Sequence, residues 1–360
     1  GGTTLARTMV LAALKLGKSV VTANKALLSA HGEELFAAAR SYGANLYYEA
    51  SVAGGIPIIK SLREGFVGNR ITHLYGIVNG TCNYILTRMK LEGAEFADVL
   101  AEAQRLGYAE AEPSLDIDGY DCQHKTGILA SLAHGFWVNP KSIHVEGIRS
   151  ISRLDMQYAQ QLGYTIKLLG IVKQPSSARK AKPGTSVQVS VYPALIPNAH
   201  VLASVNGVFN AVFVRGDVVG DTLFYGRGAG KDATASAVLS DVADAALDWM
   251  HNSKSRVPPF VCHAPDGAVV PIGDVVSRYY VRLAVIDRPG VLAQIATILG
   301  QAKIGISSVI QPEGHEGESV PLILMIHDAT NAAMQNALGN IRKLSAVKSP
   351  PVMLRVENFD

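Results

Sequence analysis

Between Gly107 and Lys125 the chain places Glu110, Glu112, Asp116, Asp118 and Asp121 close to one lysine. The apolar run at 126–136 that follows reads as a helix. Asp121 and Lys125 stand four apart at its start, so a helix puts them on one face. Carboxylates can hold an ammonium group, and a lysine can move a proton on or off an oxygen. The set therefore suits a small zwitterionic substrate. Taken alone, the pair fits equally an exposed ion pair of the kind that contributes little to stability.

A second lysine, Lys25, follows Asn24 where a short β-branched run at 19–23 gives way to a helical pattern. Doubly wound sheets bind ligands at the carboxyl ends of their strands, and the helix dipole disfavours a lysine at a helix start. A bare lysine at a helix start is more often a solvated surface charge; were it to face one pocket with Lys125, repulsion would favour proton release by one of the two. The segment Glu49-Ala-Ser-Val52-Ala-Gly54-Gly-Ile56-Pro turns sharply at its glycines. Such a turn can aim several carbonyls at one point, with Glu49 adding a carboxylate, and that donor set suits a hard cation. A plain strand-to-helix turn accounts for the same residues. Gly226-Arg-Gly228-Ala-Gly230 precedes a helical pattern, so its backbone can approach an anion at a helix N-terminus. Lys231 stands where the third glycine of a dinucleotide fingerprint belongs. Cys82 has no histidine in a constrained relation to it and reads as a packing residue rather than a nucleophile.

The elements that must carry these residues are legible from periodicity. Helix 3–15, strand 19–23, helix 25–42 and strand 45–51 alternate with short connections, which implies a parallel sheet. They look like the second half of a Rossmann domain, without the glycine-rich first turn. Helix 57–64, strand 71–78, helices 84–92, 96–106 and from 121, strand 143–147 and helix 152–162 follow. Strands 166–173, 186–193, 211–214 and 221–225 make an α+β unit with a largely antiparallel sheet, and 176–184 reads as a solvated hairpin loop. A helix at 232–249 is expected to return to the nucleotide unit. The expected boundaries are 1–56 for that partial Rossmann unit, 57–256 for a substrate and dimerisation unit, 257–278 for a proline-containing linker and 279–360 for a separate unit. In the last, strands 281–286, 306–311, 320–327 and 352–356 with helices 291–301 and 331–344 give the order βαββαβ, a ferredoxin-like split.

The 360 residues call for two or three domains. With 48 % hydrophobic and 18 % charged residues the chain is of the packed globular class. A net charge of +3 without a basic, aromatic-studded stripe excludes nucleic-acid binding. Cys82, Cys122 and Cys262 are odd in number and widely spaced, which argues against a disulfide framework and for a reducing cytoplasm. No apolar run reaches membrane-spanning length, and no signal peptide is read.

Four segments carry a family resemblance. Val21-Thr-Ala-Asn-Lys25, Glu49-Ala-Ser-Val-Ala-Gly-Gly-Ile-Pro-Ile-Ile59, Gly76-Ile-Val-Asn-Gly-Thr-Cys-Asn-Tyr-Ile85 and the stretch from Gly107 to Lys125 resemble the homoserine dehydrogenases, in the family's order and spacing. The likeness runs from residue 1 to about residue 250, and a module similar to the ACT domain, with Asp287-Arg-Pro-Gly-Val-Leu292, follows. The resemblance implies reversible hydride transfer between NAD or NADP and the pair L-homoserine and L-aspartate 4-semialdehyde. It implies Lys125 as proton donor with Lys25 assisting, and Glu110 and Asp121 on the substrate ammonium with Asp116 in support. It implies Asn24, Lys25, Gly107 and Gly230 at the cofactor, and a sodium-like ion among Glu49, Val52, Gly54 and Ile56. An amino-acid effector, threonine first, would sit at Asp287, Gly290 and Val291 of a homodimer or homotetramer. The sequence starts Gly1-Gly2-Thr3-Thr4 without the family's phosphate-binding turn. On that ground weak cofactor binding is expected, and a non-catalytic amino-acid-binding remnant is the alternative.

Overall fold

The computed structural model describes residues 2–174, 186–253, 256–312, 315 and 317–359. The expected hairpin loop at 176–184 lies outside them. Helix α1 (Thr3–Lys15) leads to strand β1 (Val20–Val21), helix α2 (Lys25–Ser41) and strand β2 (Leu46–Tyr47). β1 and β2 pair in parallel, Val20 opposite Leu46, which makes a right-sized βαβ unit around α2. Asn24 caps α2, its side-chain oxygen accepting the Leu27 N–H at 3.0 Å. The strand expected over 45–51 stops early. The Ser51 N–H and hydroxyl both turn back to the Tyr48 carbonyl, and 49–51 winds into a 3₁₀ turn.

Helix α3 (Ile58–Lys60) runs on as a wider turn to Gly65. Strand β3 (Ile71–Ile77) feeds helix α4 (Gly80–Glu92), which starts before the expected residue 84 because the Asn79 side chain accepts the Cys82 N–H at 2.8 Å. Helices α5 (Phe96–Arg105), α6 (Ser114–Ile117) and α7 (Tyr120–His134) come next, then strand β4 (His144–Val145) and helix α8 (Arg153–Gln161). Ser152 and Asp155 close a capping box on α8. Strands β5 (Tyr164–Lys173), β6 (Ser186–Pro197), β7 (Phe209–Gly216) and β8 (Gly220–Arg227) precede the long helix α9 (Lys231–Met250). α9 packs back on the nucleotide unit. Tyr47 donates to Asp248 at 2.7 Å, the Glu49 N–H to Asp241 at 2.9 Å, and Lys60 pairs with Asp244 at 2.6 Å. Apolar side chains on the outer faces of α1 and α9, among them Leu5, Met9, Leu239 and Trp249, are exposed.

Strand β9 (Ala268–Val269), strand β10 (Val276–Ile286), helix α10 (Val291–Gln301), strands β11 (Ile306–Ile310) and β12 (Ser319–Thr330), helix α11 (Asn331–Ile341) and strand β13 (Val352–Val356) complete the described chain. Two expectations are corrected here. The stretch 257–278 is not purely a linker, since β9 pairs with β6 and β10 begins at Val276. The C-terminal βαββαβ unit is not separate either. Its strands run β11-β12-β10-β13, and β13 then pairs with β6, Arg355 opposite Ala194, so that one sheet continues through β5, β3 and β7 to β8. Alternation along single strands cannot reveal that two sheet edges meet.

Charged groups cross that meeting line. Arg355 is fully buried. Its guanidinium donates twice to Glu146 at 2.9 Å and once to Asn331 at 2.7 Å, and it lies 4.4 Å from the centre of the Tyr192 ring. Glu357, also buried, accepts from Lys173 and Tyr192 at 2.7 Å each. Arg282 forks onto Asp155, which also takes the Tyr280 hydroxyl. Buried pairs of this kind are costly to break singly, because the surviving charge stays desolvated. Arg355→Met, which keeps most of the bulk, should lower unfolding free energy by about 3 kcal/mol in urea titrations followed by circular dichroism. A loss under about 1 kcal/mol would mean that the pair does not hold the junction.

Candidate active site

Three element ends converge: the carboxyl end of β3, the start of α2 and the start of α7. β3 leads to the Val78 carbonyl and Asn79, α2 delivers Lys25, and α7 delivers Asp121 and Lys125. Asp121 and Lys125 lie one turn apart on α7, whose entry turns at Gly119 in the left-handed region (φ 88°). Lys125 donates to Asp121 Oδ2 at 2.7 Å and to the Val78 carbonyl at 2.7 Å. Lys25, the first residue of α2, places its Nζ 2.7 Å from Asp121 Oδ1. Asn79 donates from one amide nitrogen to Asp116 Oδ1 at 2.7 Å and to Asp121 Oδ2 at 2.9 Å. The side chain of Asp121 is 4 % exposed, that of Lys125 10 % and that of Lys25 35 %, so the cluster opens on the Lys25 side.

The electrostatics follow. Burial pushes the Asp121 carboxyl up, but Lys125 and Lys25 outweigh it and hold the group below the usual carboxylate range. Asp116 is raised by burial, against the Asn79 hydrogen bond and the lysines. Asp121 stands between the two ammonium groups, so its attraction opposes the lysine–lysine repulsion expected from the sequence. Two of the three Lys125 hydrogens are committed, leaving one for a substrate oxygen.

The Asp121 carboxylate is shared: Oδ2 accepts from Lys125 and Asn79, and Oδ1 faces Lys25. Glu110 is exposed, and among the described residues no hydrogen bond or ion pair ties its side chain to the cluster. Burial pushes the Cys82 thiol well up, and its Sγ donates to the Asp116 carbonyl at 3.2 Å, a packing role.

The two glycine segments meet. The Gly55 N–H donates to the Arg227 carbonyl at 3.0 Å. A Cβ on Gly54 would fall 2.6 Å from the Gly228 oxygen, and one on Gly228 would fall 1.8 Å from the Asn210 amide nitrogen. Asn210 is buried beside the glycine loop, and both of its amide atoms lack a hydrogen-bond partner among the described residues. Gly230 (φ 111°) caps α9, and Gly107 (φ 76°) ends the turn after α5. Backbone of this kind leaves room for the close approach of a ligand, and a helix start such as that of α9 favours an anion. The side-chain oxygen of Asn24 is committed to the α2 cap.

Glu49 is corrected in its side chain. Its carboxylate accepts the Ile59 and Lys60 N–H groups at 2.9 and 2.8 Å and so caps α3 instead of facing an ion. The Ile56 carbonyl takes the Ile58 N–H at 2.8 Å, whereas among the described residues no hydrogen bond reaches the carbonyls of Val52 and Gly54. No group of three or more His, Cys, Asp or Glu side chains is arranged for a metal among the described residues. The turn therefore offers main-chain oxygens, which fit a monovalent cation better than a transition metal. In the C-terminal unit Gly290 (φ 87°) caps α10 at Val291, and the Asp287 carboxylate accepts from Gln311 at 3.0 Å.

Asn79 and Asn210 escape the sequence reading. Asn79 is visible there only as a capping residue type before a helical pattern; that its other end bridges two carboxylates depends on how α6 and α7 pack against β3.

A βαβ nucleotide unit beside a buried lysine–carboxylate–lysine cluster is the make-up of an NAD(P)-dependent oxidoreductase. Residues 57–243 match the profile described as homoserine dehydrogenase, and residues 1–49 match the homoserine dehydrogenase NAD-binding domain. A homoserine dehydrogenase of Pseudomonas aeruginosa is 46 % identical over 365 aligned positions, covering 100 % of this chain and 82 % of the relative. One of Neisseria gonorrhoeae is 42 % identical, covering 100 % of this chain and 81 % of its own length. The crystal structure of a homoserine dehydrogenase from Thiobacillus denitrificans superposes with a TM-score of 0.92 at 44 % identity, over 99 % of this chain and 80 % of that one. A hyperthermophilic archaeal homoserine dehydrogenase in complex with NADPH gives 0.58 at 33 % identity, over 68 % of this chain and 69 % of the other. The chain belongs to the homoserine dehydrogenase family.

Burial, with the nearby Asp241 as a lesser contributor, raises the Glu49 carboxyl to about 7 against its two backbone hydrogen bonds. A group whose folded pKa lies above its unfolded value stabilises fully below the unfolded pKa, and this contribution is lost as pH rises through the folded one. Wild type should therefore lose stability relative to Glu49→Gln between pH 4.5 and about 7. The difference in urea unfolding free energy should move by on the order of 2 kcal/mol. A difference that stays constant over this range would exclude the perturbation.

Proposed function

We propose that this chain catalyses the reversible NAD(P)-dependent interconversion of L-homoserine and L-aspartate 4-semialdehyde. The observation that carries the reading is the Asp121 carboxylate held 2.7 Å from both Lys25 and Lys125 beside a nucleotide unit. When bound, the nicotinamide supplies or accepts the hydride at C4 of the substrate. Backbone at Gly107 and Gly230, with Lys25 and the Asn24 turn, would hold it. In the reducing direction Lys125 gives its free hydrogen to the aldehyde oxygen while Lys25 steadies the developing negative charge. In the oxidising direction Lys125 takes the hydroxyl proton. Asp121 sets the position of both lysines, and Val78 fixes Lys125 from the other side. Glu110, from the exposed loop, and Asp121 take the substrate ammonium, with Asp116 in support from the position that Asn79 sets. A sodium-like ion fits the free carbonyls of Val52 and Gly54, with the main chain of Glu49 and Ile56 completing the turn.

The C-terminal unit we read as an ACT module that senses an amino acid, threonine first, at Asp287, Gly290 and Val291, in a cytoplasmic homodimer or homotetramer of threonine, methionine and isoleucine biosynthesis. The βαββαβ order and the left-handed turn ahead of α10 support this reading.

Two measurements test these assignments. Lys125→Met should lower turnover by roughly two to four orders of magnitude with little change in the homoserine KM, and near-normal turnover would overturn the proton-transfer role. Truncation is a poor probe of regulation, since β13 pairs with β6. Asp287→Ala should instead leave uninhibited turnover intact and remove inhibition by threonine, a coupling on the order of 1–3 kcal/mol. Inhibition that persists in this variant would place the effector elsewhere.

A further inference from the structure

A cavity of about 540 Å³ opens at the junction of the two units, between α11, β13 and the segment 146–150. None of its lining residues belongs to the lysine–carboxylate cluster or to the Asp287 turn. Its lining is mixed, with the apolar side chains of Leu338, Val352 and Met353 beside polar ones. Its two acids are already matched. Asp118 Oδ2 accepts from Arg149 at 3.1 Å, and Glu146 is held by Arg355 and by His144 at 2.7 Å. The remaining charge is Arg342, exposed, with no hydrogen bond or ion pair from its side chain among the described residues. An arginine at a helix end also suits the helix dipole, so its presence alone marks nothing. A concave wall that joins an uncommitted guanidinium to several apolar side chains suits a small aliphatic carboxylate.

The wall touches the catalytic cluster through the backbone. The Ile148 N–H donates to the Ile117 carbonyl at 2.8 Å. A Cβ on Gly147 would fall 2.2 Å from that same oxygen and 2.5 Å from the Asp118 Cα, so segment 146–148 lies directly on α6. α6 carries Asp116, which Asn79 ties to Asp121. We propose that this junction cavity binds a small aliphatic carboxylate, an α-amino acid or its 2-oxo acid, with the carboxylate on Arg342, and that occupancy shifts α6 and thereby substrate affinity. The effect on affinity rests on the homoserine dehydrogenase reading; binding does not.

The test uses the full chain, isothermal titration calorimetry, and three probes: L-leucine, 4-methyl-2-oxopentanoate and inorganic phosphate. One of the two organic acids should bind, and Arg342→Ala should weaken it by at least about tenfold, the usual loss for a charge-assisted hydrogen bond. Asp287→Ala should leave it unchanged. L-Leucine alone identifies the amino acid as ligand, the oxo acid alone the oxo acid. The bound acid should also raise the homoserine KM more than it alters kcat, and Arg342→Ala should cancel that shift. Binding indifferent to Arg342→Ala, phosphate binding as tightly as the organic acids, or no binding at millimolar concentration would each overturn the site. A protein that binds the probe through Arg342 but turns over no homoserine would overturn the activity reading and leave the site standing.

Discussion

One buried carboxylate organises the catalytic half of this molecule. Asp121 has almost no contact with solvent, and its ionised form is tolerable only because two ammonium groups and an amide meet it. The converse also holds. Lys125 is nearly as buried, and Asp121 and the Val78 carbonyl meet its Nζ. Three chain segments far apart in sequence must therefore arrive together, and an error in any one leaves a charge unpaired. The α2 cap at Asn24, the α4 cap at Asn79 and the left-handed entry to α7 at Gly119 each fix one arrival. Helix ends, more than helix bodies, set the chemistry.

The same logic recurs where the two units join, with a different purpose. Arg355, Glu357 and Arg282 reach out of the C-terminal strands to carboxylates, a lysine and a tyrosine of the catalytic unit. Apolar surface would hold the two together without caring about register. Directional, desolvated pairs penalise a slipped register, because each pair has one geometry that satisfies it. Arg355 answers to Glu146, next to the segment that lies on α6, so the junction and the catalytic cluster share a wall.

Much of this was readable beforehand, and unevenly. Helices with a clear apolar face and a glycine or asparagine at an end, such as α1, α2 and α10, stand close to where periodicity puts them. The ion-pair geometry of Asp121 and Lys125 follows from a spacing of four and nothing more. What escaped did so for physical reasons. The Glu49 carboxylate satisfies the first N–H groups of α3, a local demand that outcompetes any ion and that residue type alone does not disclose. Asn79 bridges two carboxylates through packing contacts with no sequence period. The pairing of β13 with β6 joins edges that lie far apart in the chain, and hydrophobic alternation within either strand is blind to its neighbour.

That last pairing bears on how the molecule is made. β13 lies between β10 and β6, in the interior of the sheet, yet it comes after every other described strand in the chain. During synthesis β6 can pair with β5, β4 and β9, but its Ala194–Leu195 stretch must wait for a partner on that side until residues 352–356 leave the ribosome. β10, β11 and β12 have time to pair among themselves in the interval. Closure is then a docking of two nearly finished halves through one short strand, a step of high sequence separation and correspondingly slow. In that waiting state, the partners later neutralised by Arg355 and Glu357 face water, so the incomplete protein carries a polar, soluble edge where a purely apolar seam would invite aggregation.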